Sequence, residues 1–87
     1  MKIDNKEMVA NFGALGYDAT RMALILDASK DDVSEALTDG SEFQRLYDQG
    51  VAMADYAIDV KLFELAKGGD IKALDKLETR KKLRARR

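Results

Sequence analysis

Between Ser41 and Gly69 the chain has no proline, and Phe43, Tyr47, Gly50, Val51, Ala54, Ile58, Leu62 and Leu65 recur mostly at steps of three or four residues. That spacing predicts one helix with an apolar stripe along it. Ser41 can cap its start, Gln44 stands where a capping box would be completed, and Gly68-Gly69 offer the left-handed backbone that ends it. At about 1.5 Å per residue the helix spans roughly 40 Å. A rod of that length outgrows a compact three-helix ball, so it needs other helices, or copies of itself, along its flanks.

The remainder of the chain limits how that need can be met. Its 87 residues lie near the lower end of what folds around its own core. With no cysteine and no histidine, neither disulfides nor the usual transition-metal ligands can help. Further burial is therefore expected from association. A composition 46% hydrophobic and 36% charged, without proline, suits helical, self-associating proteins. The net charge of −1 conceals an asymmetry: residues 1–50 carry five Lys/Arg against ten Asp/Glu, and residues 51–87 carry ten against six. No apolar run approaches the roughly eighteen residues needed to cross a bilayer, and no signal-peptide core opens the chain. The sequence reads as soluble and intracellular.

Ahead of the long helix, residues 5–15 read as a first helix with Asn5 or Asp4 as its cap and Met8, Val9, Phe12 and Leu15 on one side. Gly16 stops it. Asp18 can cap a second helix from Ala19 to about Leu26, with Met22, Ala23, Ile25 and Leu26 inward. After the short break Asp27-Ala28-Ser29, Ser29 caps a third, with Asp32 at its third position and Val33, Ala36 and Leu37 along its buried edge; Thr38-Asp39-Gly40 closes it. Two short helices joined by a tight turn and preceded by a supporting helix match the helix-turn-helix arrangement. Beyond the long helix, Asp70 caps a last helix from Ile71 to at least Lys82, with Ile71, Leu74, Leu77 and Leu83 as its apolar side. The fold expected is all-α: a helix-turn-helix unit over 1–40, a helical hairpin for oligomerisation over 41–79, and a basic tail over 80–87 that frays or awaits a partner.

The helix-turn-helix pair, then Ser41-Glu42-Phe43 opening a helix with Tyr47 and Gly50, then Leu65-Ala66-Lys67-Gly68-Gly69-Asp70 followed by Ala73-Leu74, resembles the small terminase subunits of tailed bacteriophages and prophages. The similarity covers roughly residues 16–80. It implies a non-catalytic DNA-packaging protein in the cytoplasm of the bacterial host. Such a protein would assemble into a ring, bind viral DNA and present it to the large terminase subunit.

In one place the sequence departs from that pattern. A recognition helix should begin with residues that reach base edges, yet the third helix reads Lys30-Asp31-Asp32-Val33-Ser34-Glu35. Lys30 and Ser34 are its only conventional contacts, with Arg21 and Arg45 as backbone clamps. The acids otherwise cap and solvate a packing helix. Arg80, Lys81, Lys82, Arg84, Arg86 and Arg87 are the stronger electrostatic candidates for phosphate, with a salt-sensitive, sequence-independent affinity. A solvated terminus and an address for an acidic protein are the competing readings of that tail.

Catalysis finds no support. Asp31 and Asp32 point about 100° apart on a helix, Gly68-Gly69 lacks the downstream residues of a phosphate-binding loop, and no cofactor or metal is expected. For self-association, Tyr47 and Tyr56 lie about 180° apart on the long helix, and Tyr56, Val60 and Phe63 form a second apolar edge. With Tyr47 and Val51, these are the expected contacts to other copies. A dimeric helix-turn-helix transcription regulator and a protein-interaction adaptor are the alternative readings.

Overall fold

The computed structural model describes residues 5–38 and 40–85. It is all-α, with five helices in the expected order: α1 Lys6–Leu15, α2 Ala19–Leu26, α3 Lys30–Ala36, α4 Glu42–Lys67 and α5 Ile71–Ala85. The chain forms two compact units that divide inside α4, between Ala54 and Asp55. The sequence-based partition at residue 40 separated expected roles, whereas packing assigns the first half of α4 to the N-terminal unit.

In that unit each helix begins on the cap its sequence offers. Asn5 Oδ1 accepts from Met8 N at 3.0 Å, Asp18 Oδ1 from Arg21 N at 2.9 Å and Ser29 Oγ from Asp32 N at 3.0 Å. Asp4, the alternative cap for α1, lies outside the described residues, as does Asp39. α1 ends on Gly16 in the left-handed region, at φ 71°. The turn between α2 and α3 requires the same conformation at Asp27, φ 53°, which a short polar side chain tolerates better than most. Ser41 Oγ accepts from Gln44 N at 3.0 Å and donates to Ala36 O at 2.7 Å, so one hydroxyl starts α4 and ties it to the end of α3. Gln44 does not complete a capping box: its amide donates to Asp48 Oδ1 one turn on, at 2.8 Å.

The core of this unit is Val9, Phe12, Met22, Ala23, Val33, Phe43 and Leu46. α2 packs on α3 as a helix-turn-helix pair, with Met22 and Val33 wholly buried. Two expected inward residues face solvent, Leu15 and Ile25. In α1 the place of Leu15 is taken by Gly13, which is buried because backbone approaches backbone there: a Cβ on Gly13 would stand 1.9 Å from Tyr47 O. Gly50 does the same for α4, its notional Cβ 1.7 Å from Ala10 O. α1 and α4 therefore cross through a pair of facing glycines. On α4 the buried residues are Phe43, Leu46 and Gly50, whereas Ile58 and Leu65, expected on the same stripe, are exposed.

The second unit is the hairpin of the later part of α4 with antiparallel α5. Only Gly69 of the glycine pair is left-handed, at φ 100°. Asp70 Oδ1 caps α5 by accepting from Ala73 N at 3.0 Å. Ala73 is the one buried residue among those described in this unit, and Leu77 and Arg80 follow it at helical spacing as half-buried positions. Ile71, Leu74 and Leu83, expected on the buried side, are exposed. The small Ala73, rather than the larger aliphatics, is the residue of α5 that is buried. α5 continues into the basic end as far as Ala85, and Arg86 and Arg87 lie outside the described residues.

Candidate functional site

The candidate contacts of the N-terminal unit are spread over three helices. Arg21 on α2, Lys30 and Ser34 on α3 and Arg45 on α4 are all exposed. Arg21 is positioned by an aromatic: its guanidinium lies 5.2 Å from the centroid of Tyr17, whose ring stacks at 6.0 Å on buried Phe12. Such a contact steadies a cation without neutralising it. Asp31, Asp32 and Glu35 are exposed on α3 beside Lys30 and Ser34, so this helix presents more negative than positive charge. Tyr47 is drawn into the unit: half-buried, its hydroxyl donates to Tyr17 O at 2.8 Å.

The basic end is differently disposed. Arg86 and Arg87 lie outside the described residues, and Lys81 pairs with Glu78 on its own helix at 3.6 Å. Arg80 and Arg84 are held by α4. Asp59 Oδ1 accepts from Arg80 Nε at 2.7 Å, Asp59 Oδ2 from Arg84 Nη2 at 2.8 Å, and Asp55 Oδ1 from Arg80 Nη2 at 3.1 Å. Each acid is one turn from the other on α4, and each arginine likewise on α5, so two facing rows of one turn make the whole network. Lys82 is in no ion pair among the described residues. Of the six cations that the sequence offers as phosphate contacts, Arg80, Lys81 and Arg84 are thus engaged by carboxylates of this chain.

Asp59 is the focus of the network. The hydrogen bond from Arg80 holds its carboxyl below the ordinary value of 3.8; partial desolvation opposes this, and Arg84 reinforces it. Arg80 is raised correspondingly, chiefly by the bond to Asp59. A carboxyl whose folded pKa is depressed stabilises the fold fully above its unfolded value and loses that contribution as pH falls through the folded one. In thermal melts, the share of stability that Asp59 contributes should thus be constant well above 3.8 and be lost as pH falls below it. Asp59→Asn should remove that part of the decline; an unchanged acid limb would show the network has no weight.

Apolar side chains flank this network. Tyr56, Val60 and Phe63 run along one side of α4, where Tyr56 and Phe63 are exposed and Lys67 Nζ lies 4.9 Å from the Phe63 ring centroid. Ile58, Leu62 and Leu65 run along another, and Ile58 and Leu62 line an open groove with Asp75, Lys76, Thr79 and Arg80. Tyr56 and Ile58, two residues apart, point about 160° from each other, with Asp55 and Asp59 between them. Val60 and Leu62 are half-buried, while Tyr56 and Phe63 on one edge and Ile58 and Leu65 on the other stay exposed. Val51, the remaining expected contact, is half-buried in the N-terminal unit.

Among the described residues, no helix is long and apolar enough to cross a membrane, and no group of three or more acidic residues could hold a metal ion. Comparison with known proteins found no matching family model, curated protein or solved structure.

Proposed function

We propose that this chain is a small-terminase-like DNA-packaging protein of a bacteriophage or prophage. It assembles with copies of itself through the α4–α5 hairpin, binds viral DNA in the cytoplasm of the bacterial host, and hands it to a large terminase subunit. One observation carries the assembly: large apolar side chains stay exposed on two edges of the hairpin, Tyr56 and Phe63 on one and Ile58 and Leu65 on the other. A two-fold dimer formed through one edge leaves the other in water. Packing the Tyr56–Phe63 edge of one copy on the Ile58–Leu65 edge of the next covers both, and such a heterologous contact closes into a ring when its rotation permits.

DNA binding is supported by the helix-turn-helix unit and by the cations of α5, and the carboxylates of α3 argue for backbone contact rather than base reading. The chain has no catalytic part in this reading; the chemistry of packaging belongs to the partner subunit. Native mass spectrometry with and without duplex DNA tests it. Assemblies of more than two copies that retain duplex at low salt are expected. Monomers that ignore DNA would refute it, and strict dimers with one preferred sequence would favour the transcription-regulator alternative.

A further inference from the structure

We propose that Arg80 and Arg84 form a binding site for the phosphodiester backbone of DNA, and that Asp55 and Asp59 occupy it from within until DNA replaces them. The proposal rests on the DNA-binding reading above and gives that reading a site and a control. The two oxygens of Asp59 are divided between two guanidinium groups, at 2.7 and 2.8 Å, and Asp55 takes a further N–H of Arg80 at 3.1 Å. The two non-bridging oxygens of a phosphodiester can be shared between the same donors, because planar guanidinium forks accept carboxylate and phosphate alike.

Access is open. Asp55, Arg80, Leu83 and Arg84 line a groove that faces solvent, and the side chains of Arg84 and Asp55 are 51% and 44% exposed. The pairs of Arg80 with Asp55 and of Arg84 with Asp59 each have a member this exposed and are screened by salt, whereas Arg80 and Asp59 are 28% and 21% exposed, so exchange begins at Asp55 and Arg84 and must displace Asp59 last. DNA has an advantage that aspartate lacks: each phosphate neutralised releases condensed counterions, which favours the exchange at low salt and reverses it at high salt. The same network that fastens α5 to α4 in free protein therefore withholds two arginines from DNA.

Anisotropy titrations of a fluorescent duplex with the full chain, over a range of KCl, test the proposal. Asp55→Asn/Asp59→Asn should bind about tenfold more tightly at low salt with a log–log salt slope close to that of the wild type, because the same two phosphates are contacted once the carboxylates have been displaced. Adding Arg80→Gln and Arg84→Gln to that variant should abolish the gain, and Glu64→Gln/Asp75→Asn, which raises the net charge by the same two charges while leaving both arginines paired, should bind as the wild type does; an equal gain in that control reflects net charge alone and overturns the proposal. Unchanged or weaker binding by a helical Asp55→Asn/Asp59→Asn chain overturns it as well. If that variant loses helix, the wild type decides: the Arg80 and Arg84 Nε–H resonances should move as duplex is added, and resonances that stay fixed at saturation contradict the proposal. The same movement with inorganic phosphate at matched ionic strength would make this a free-anion site and overturn the assignment to DNA. Duplex binding by the wild type without the gain overturns this proposal and leaves the DNA-binding reading standing, whereas no duplex binding by any variant removes that reading too.

Discussion

Gly50→Ala is expected to cost about 3 kcal/mol of stability, the upper part of the usual range for overpacking. In a chain of this size that lowers the melting temperature by roughly 15 °C. The added methyl would stand 1.7 Å from the carbonyl oxygen of Ala10 and 2.6 Å from its carbon. A side chain could rotate away, but these are backbone atoms of a packed helix, so α1 and α4 must separate to admit it. Gly13→Ala meets Tyr47 O at 1.9 Å from the other side of the same crossing and should behave alike. Each glycine costs its helix about 1 kcal/mol relative to alanine, which the close approach offsets. Gly68→Ala is the control: its Cβ would meet nothing nearer than Leu65 O at 3.4 Å, and its φ is not positive. Urea or thermal unfolding followed by circular dichroism checks all three; a Gly50→Ala chain as stable as wild type would mean the crossing is looser than described.

That glycine pair also marks where the sequence stopped being legible. Helix number, order and caps could all be read, because Asn5, Asp18, Ser29, Ser41 and Asp70 act over three residues and need no tertiary information. Faces were harder. A stripe read at steps of three and four places Leu15, Ile25, Ile58, Ile71 and Leu74 inward, yet all five are exposed, while the small Gly13, Gly50 and Ala73 are buried. Small residues carry little weight in a hydrophobicity pattern, so periodicity passes over the places where helices come nearest.

At the candidate site, the cations of α5 were visible as a cluster and their partners were not. The signal was present. Asp59 and Arg80 lie almost equally far from Gly69, as do Asp55 and Arg84, so folding at that glycine brings them opposite one another. Reading residues 80–87 as a tail separate from the hairpin concealed the match. The edge Tyr56–Val60–Phe63 was legible because both of its aromatics remain unpacked.

Placing charge on that edge should have the largest effect on assembly. Tyr56 and Phe63 are 64% and 53% exposed within the chain, so Tyr56→Glu/Phe63→Glu should leave the monomer folded. Contact with another copy would then desolvate two unpaired carboxylates where two aromatics had been buried. Aromatic anchors at interface centres are each worth about 2 kcal/mol or more, and about 1.4 kcal/mol is tenfold in affinity. Self-association should weaken by at least about 100-fold.

Sedimentation velocity of the wild type and of this double variant, over a range of concentrations without DNA, bears most directly on whether the hairpin is completed by its own copies. Assemblies larger than a dimer in the wild type, and monomers in the variant at the same concentration, are the expected result. A wild-type chain that sediments as a monomer throughout, or a variant that assembles as well as the wild type, would contradict the account.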